Sequence, residues 1–194
     1  YPYSEGNVSS PSALTLIDGK LPVTTEQFIS GPNALKLQWT STSKGGWDAQ
    51  INVYRWRNRE VPWAGDSLYL WLWSDEGIAA KDLPQIAFSD TMKGMDMFDV
   101  NVAHSQRRPL SDFVQAIAPR HWTRVRIPLD QFAKDALQPF EPRRVGTIVL
   151  SQGAGDGRQH TLYVDDIRIQ NDAGSTTRPR APANLRARVY ERHV

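Results

Sequence analysis

Cysteine is absent from the 194 residues. That excludes a disulfide framework, a thiolate metal centre and a cysteine nucleophile, and leaves secretion open. No apolar run approaches the roughly 20 residues that a membrane-spanning helix needs, so no membrane partner is expected. No signal-peptide pattern opens the chain. A surplus of one charge is missing from most of it. The formal net charge is +2, but residues 172–194 hold five arginines against Asp172 and Glu191, a local +3, so residues 1–171 carry −1. A body without basic excess gives no footing to a nucleic-acid partner. A phosphate-cradling glycine loop is lacking too. QGAGDG (152–157) precedes a run that reads as a strand, not a helix, and is expected to be a hairpin turn.

Tryptophan, in contrast, is plentiful, with seven residues, and 40% hydrophobic residues suffice for a core. Tryptophan ordinarily fills cores and inter-sheet layers. In SLYLWLWS (67–74), however, Leu68, Leu70 and Leu72 alternate with Tyr69, Trp71 and Trp73. Successive side chains of a strand point to opposite faces, so the leucines are expected to face a core and the aromatics the outer surface. A bare aromatic face is an aggregation hazard, so a ligand, a loop or a partner domain must cover it.

Short runs rich in β-branched or aromatic residues read as strands over 34–40, 47–56, 67–74, 85–88, 97–102, 123–128, 145–151 and 161–169. Turn formers separate them, and no βαβ alternation occurs, which predicts an all-β, two-sheet antiparallel jelly-roll sandwich. Two short helices are expected over 111–118 and 130–137, each opened by a residue able to cap free N–H groups. In WTRVRIPL, Trp122, Val125 and Ile127 are expected in the core with Arg124 and Arg126 in water. In TLYVDDIRI the apolar alternation breaks between Val164 and Ile167, and a bulge at Asp165–Asp166 would repair it. His121 and His160 are expected in turns.

Three stretches, SGPNALKLQW (30–39), HWTRVRIPLDQF (121–132) and TLYVDDIRIQ (161–170), occur in an order and spacing that resembles the jelly-roll carbohydrate-binding modules of the galactose-binding-like superfamily. SLYLWLWS fits the same pattern, and the resemblance covers about residues 14–170. It implies a noncatalytic module of a secreted bacterial enzyme, extracellular or periplasmic, acting on polysaccharide. The module is expected over 1–171 and a linker over 172–181. Residues 182–194 (PANLRARVYERHV) resemble the opening strand of a fibronectin type III domain, with Leu185, Ala187 and Val189 inward.

The resemblance also implies one structural calcium ion, held by an early acidic residue, backbone carbonyls near the SGPNAL turn and the first Asp of the last strand. Asp165 matches the late position; Ile17 stands at the early one, where Asp18 or Glu5 could substitute. Calcium takes six to eight hard oxygens, which carboxylates and carbonyls supply. The commoner alternative for Asp165 is a surface ion pair.

Sugar rings stack their C–H faces on indole and phenol rings while polar groups bond the rim hydroxyls. The expected platform is Tyr54, Trp56, Trp63, Tyr69, Trp71 and Trp73, with Arg57 as polar contact. The arginines of RWRNRE (55–60) suit an acidic polysaccharide or oligosaccharide, although an arginine run is more often a solvated face. Neighbouring domains of the same chain are the other expected partners, and the alternative function is a structural module that packs on a catalytic domain. A third reading is a small jelly-roll lyase or hydrolase. Hydrolysis needs paired carboxylates in a cleft, and SDEG (74–77) and VDDI (164–167) fall at strand ends or bulges. His104, Gln106 and Arg107 are a faint echo of a lyase constellation without the strand motifs of that activity.

Overall fold

A computed structural model describes residues 3–52, 65–90, 104–134 and 145–172. Tyr54, Trp56, Arg57, Trp63, the strand expected over 97–102 and the segment 182–194 lie outside the described residues.

The strands are β1 (Tyr3–Ser9), β2 (Ala13–Leu14), β3 (Val23–Thr24), β4 (Ala34–Thr40), β5 (Gly46–Asn52), β6 (Ser67–Trp73), β7 (Ile78–Ala79), β8 (Gln85–Asp90), β9 (Arg108–Pro109), β10 (Ala116–Ile117), β11 (Thr123–Pro128), β12 (Val145–Ser151) and β13 (Gln159–Gln170). One sheet runs β1-β5-β12-β8-β9 and the other β11-β6-β13-β4-β2, with β3 also pairing β4. The chain changes sheet from β4 to β5, from β5 to β6 and from β12 to β13. This is the two-sheet antiparallel jelly-roll sandwich that the alternation predicts.

Alternation decides what each strand buries. Leu35, Leu37 and Trp39 of β4, Leu68, Leu70 and Leu72 of β6, and Leu162 and Val164 of β13 face inward from one sheet. Trp47, Ala49 and Ile51 of β5, Ile86 and Phe88 of β8, and Ile148 and Leu150 of β12 meet them from the other. Trp39 and Trp47 touch across the layer with centroids 5.3 Å apart. The short helix α1 (Asp130–Lys134) sets Phe132 edge-on to Phe88 at 4.6 Å. On β1, Gly6 leaves room for the segment after β2, because a Cβ there would meet Leu16 at 2.6 Å.

Several expectations need correction. QGAGDG is not a hairpin turn; it carries the chain from β12 in one sheet to β13 in the other. The helix expected over 111–118 is a single 3-10 turn, Leu110–Asp112, followed by strand β10. Trp122 is half-buried and outside the core: it precedes β11 at the parity of Arg124, opposite to Val125 and Ile127. His160 lies in β13, not in a turn. The bulge is where the alternation placed it. Pairing with β6 shifts between Asp165 and Arg168, and Asp166 adopts φ +48°.

Candidate functional site

The outer face of β6 carries Tyr69, Trp71 and Trp73, as the alternation requires, but the protein covers much of it. Tyr69 and Trp73 are only 6% and 7% exposed. Trp73 meets Tyr163 edge-on at 5.1 Å, and the Tyr163 hydroxyl donates to Glu26 of the loop after β3. The Arg124 guanidinium lies 4.2 Å over the Tyr69 ring, whose hydroxyl donates to Asp172. Burial, with the Asp172 carboxylate, pushes the Tyr69 phenol above its ordinary pKa. Trp71 alone of the three remains half-buried. The strand that leads into Tyr54 and Trp56 is β5, which belongs to the opposite sheet, so β5 and β6 do not form the common floor expected of them.

Asp165 accepts the backbone N–H groups of Ile29 and Ser30 at 2.7 and 2.9 Å, and that of Asp166 at 2.6 Å. These are donors clasping the loop before β4, whereas a cation would need oxygens there. Asp18 sits in the tight Ile17–Lys20 turn at φ +51° and is exposed. No group of three or more His, Asp or Glu side chains among the described residues is arranged to hold a metal ion.

The outer face of the other sheet is different. It forms an open cleft of about 620 Å³. Because Trp47, Ala49 and Ile51 point inward, Asp48 and Gln50 of β5 point out along one side. Val149 of β12 and Ala87 of β8 give a floor of small apolar side chains. Ser89 and residues His104–Arg107 form the far wall. That wall is strapped to β8: the Phe88 N–H donates to Ser105 Oγ at 2.9 Å, and the Ser105 N–H donates to the Phe88 carbonyl at 2.9 Å. Ser89 Oγ and His104 Nδ1 are 2.8 Å apart, which fixes the imidazole and leaves Nε2 for another partner.

Side chains on the β5 side are held in register. Asp48 Oδ1 accepts Asn7 Nδ2 and Gln50 Nε2, each at 3.2 Å. Thr147 donates to Asn52 Oδ1 at 2.7 Å, at the end of β5. Carboxylate, amide, hydroxyl and imidazole thus flank an apolar strip. Asp48 is the only carboxylate among the described lining residues, so the carboxylate pair of a glycosidase is not assembled from them.

His104, Gln106 and Arg107 stood out in the sequence only as a loose group, whereas Asp48 and Gln50 gave no signal beyond a polar strand face. The structure brings all five together.

Known proteins share this architecture. The family model for carbohydrate binding domain 30 matches residues 2–171. An exo beta-1,2-glucooligosaccharide sophorohydrolase (non-reducing end) of Parabacteroides distasonis is 26% identical over 197 residues, across 100% of this chain and 26% of its own length. The chain therefore spans about a quarter of that relative. The crystal structure of a beta-1,2-glucanase from Parabacteroides distasonis superposes with a TM-score of 0.69 at 25% identity, over 86% of this chain and 22% of that one. The family 30 carbohydrate-binding module of a cellulosomal cellulase of Clostridium thermocellum gives a TM-score of 0.67 at 22% identity, over 89% and 94%. With the family model matching residues 2–171, this chain belongs to the carbohydrate binding domain 30 family.

Proposed function

We propose that the chain is a noncatalytic module that holds a glycan in the cleft over β5, β12 and β8, as part of a secreted, polysaccharide-acting bacterial protein. The observation that carries this reading is the cleft's chemistry. A pyranose ring has an apolar C–H face and a polar rim. Val149 and Ala87 suit the face, while Asp48, Gln50, Ser89 and His104 suit the hydroxyls from either side. Neighbouring strands lie about 4.8 Å apart, so the two polar edges on β5 and β8 stand about 10 Å from each other, wide enough for one sugar chain. The aromatic and arginine residues expected to contact sugar at 54–57 begin two positions after Asn52 in sequence.

The glycan is a β-glucan in this reading, with β-1,2-linked glucan the first to test, because the relatives that match at 25–26% identity are named for that linkage. The test is affinity electrophoresis through gels containing β-1,2-glucan, mixed-linkage β-glucan, xylan or polygalacturonate. Retardation by a β-glucan supports the reading, and free migration in all four gels contradicts it.

A second reading, packing on a neighbouring domain, is favoured by one observation. Asp172 is pinned to the outer face of the opposite sheet by Tyr69 and by Arg126 at 3.0 Å, on the strand face that also carries half-buried Trp71. The last described residue thus lies on the face away from the cleft, and the two readings are compatible.

A further inference from the structure

We infer that Asp48 is a specificity-determining residue that turns acidic glycans away from the cleft; the inference rests on the cleft being the glycan site. The Asp48 carboxylate is half-buried, and its hydrogen-bond partners, Asn7 and Gln50, are neutral amides. No cation pairs with it among the described residues. Among the described residues its negative charge therefore faces the cleft without a cation, with lone pairs that can accept sugar hydroxyls.

The cation on the far wall does not offset it. Arg107 is exposed. Its segment lies beyond β8, where His104 bridges Ser89, and so stands three strand spacings from β5, roughly 14 Å. That exceeds the screening length of about 8 Å at physiological ionic strength. Val149 pairs with Gln50, so a sugar resting on it would lie one strand spacing across and two residues along from Asp48, about 8 Å away. A ligand carboxylate there meets a like charge in a partly desolvated setting, and one turned toward Asp48 cannot donate the hydrogen bond that a hydroxyl would. The penalty is about three- to thirtyfold in affinity at effective dielectrics between those of protein surface and water. The arginines at 55–59 had suggested an acidic ligand; the charge that the described cleft brings nearest to its floor points the other way.

The experiment titrates a β-glucan retained in the affinity gels, and a carboxymethylated preparation of the same glucan, into wild type, Asp48→Asn and Arg107→Ala at pH 8, where ordinary histidines are neutral. Wild type should bind the neutral glucan about three- to thirtyfold more tightly than the carboxymethylated one. Asp48→Asn, isosteric and checked for unchanged melting, should bring that ratio close to one, and Arg107→Ala should not narrow it. Equal binding of both glucans by wild type, or an unchanged ratio in Asp48→Asn, overturns the inference while leaving the cleft as the glycan site. Binding of neither glucan overturns the proposed function, and this inference with it.

Discussion

The Tyr69 hydroxyl donates to the Asp172 carboxylate at 2.9 Å, joining the central aromatic strand to the last described residue of the chain. Arg126 completes the cluster through its ion pair with Asp172. The end of the body is therefore stitched down by one hydroxyl, one guanidinium and the Asp172 N–H, which donates to Asp66 at 3.1 Å. Tyr69→Phe keeps the ring under Arg124 and loses only the hydrogen bond. It should cost about 1 kcal/mol, since Asp172 keeps its arginine, and lower the melting midpoint by roughly 2–4 °C. Truncation after Asp172 should leave the midpoint unchanged, whereas truncation after Gln170, which also removes the Arg126 ion pair and the Asp172 N–H bond to Asp66, should lower it by more than Tyr69→Phe does. Thermal denaturation of the three forms is the check; equal melting of both truncations would show that Asp172 contributes nothing.

Asp165 acts as a clasp for the loop before β4. Its removal strands the N–H groups of Ile29 and Ser30 and should cost about 2–3 kcal/mol, the range for hydrogen bonds to a charged acceptor. Because the carboxylate already faces donors, a chelator should leave wild-type melting unchanged. Calorimetry with and without EDTA, on wild type and Asp165→Ala, decides this. A chelator-dependent drop in wild type that disappears in the variant would assign calcium to Asp165 after all.

At the opposite end of the sandwich, burial works against the Asp156 carboxylate, but the Arg158 N–H and the side chains of His160 and Arg158 outweigh it and hold its pKa down to about 2. A carboxylate depressed in the folded state stabilises fully above its unfolded pKa and loses that contribution as pH falls toward the folded value. The window here runs from about pH 4 down to about pH 2, and the contribution is at most about 2 kcal/mol. Urea unfolding at pH 5 and pH 2.5 should show a smaller loss on acidification in Asp156→Asn than in wild type. Equal losses would contradict the assignment.

Ser151 stands directly opposite Asp48 in the β12–β5 pairing, fully buried, and its hydroxyl has no hydrogen-bond partner among the described residues. Ser151→Ala removes a polar group that gains nothing from burial, so it should be neutral or stabilising by up to about 1 kcal/mol. Destabilisation by more than that in chemical denaturation would reveal a partner for the hydroxyl.

Local pattern reached the fold more readily than the site. The bounds of β4, β11 and β12, the inward leucines of β6 and the bulge at Asp165–Asp166 were all legible, because each is written in strict alternation or in a break of it. β1 was not legible. YSEGNVS carries one β-branched residue, and its inward positions include Ser4 and Gly6, so its strand state comes from backbone pairing with β5 and from the leucines that pack over Gly6. The aromatic face of β6 was read correctly as outward. Its covering by Tyr163, Glu26, Arg124 and Asp172 depends on contacts more than 30 residues away in sequence. The cleft was the least legible feature. Asp48 and Ala87 become neighbours only because β12, from much later in the chain, inserts between β5 and β8.

The central claim is that sugar binds over β5, β12 and β8 rather than over the outer face of β6. Isothermal titration of a β-glucan oligosaccharide into wild type, Gln50→Ala, His104→Ala and Trp71→Ala tests it most directly. Each cleft variant should weaken binding by roughly ten- to a hundredfold, the worth of one or two hydrogen bonds at a site, while Trp71→Ala binds as wild type does. Loss of binding in Trp71→Ala, with Gln50→Ala and His104→Ala unaffected, would contradict the account and move the site to the opposite sheet.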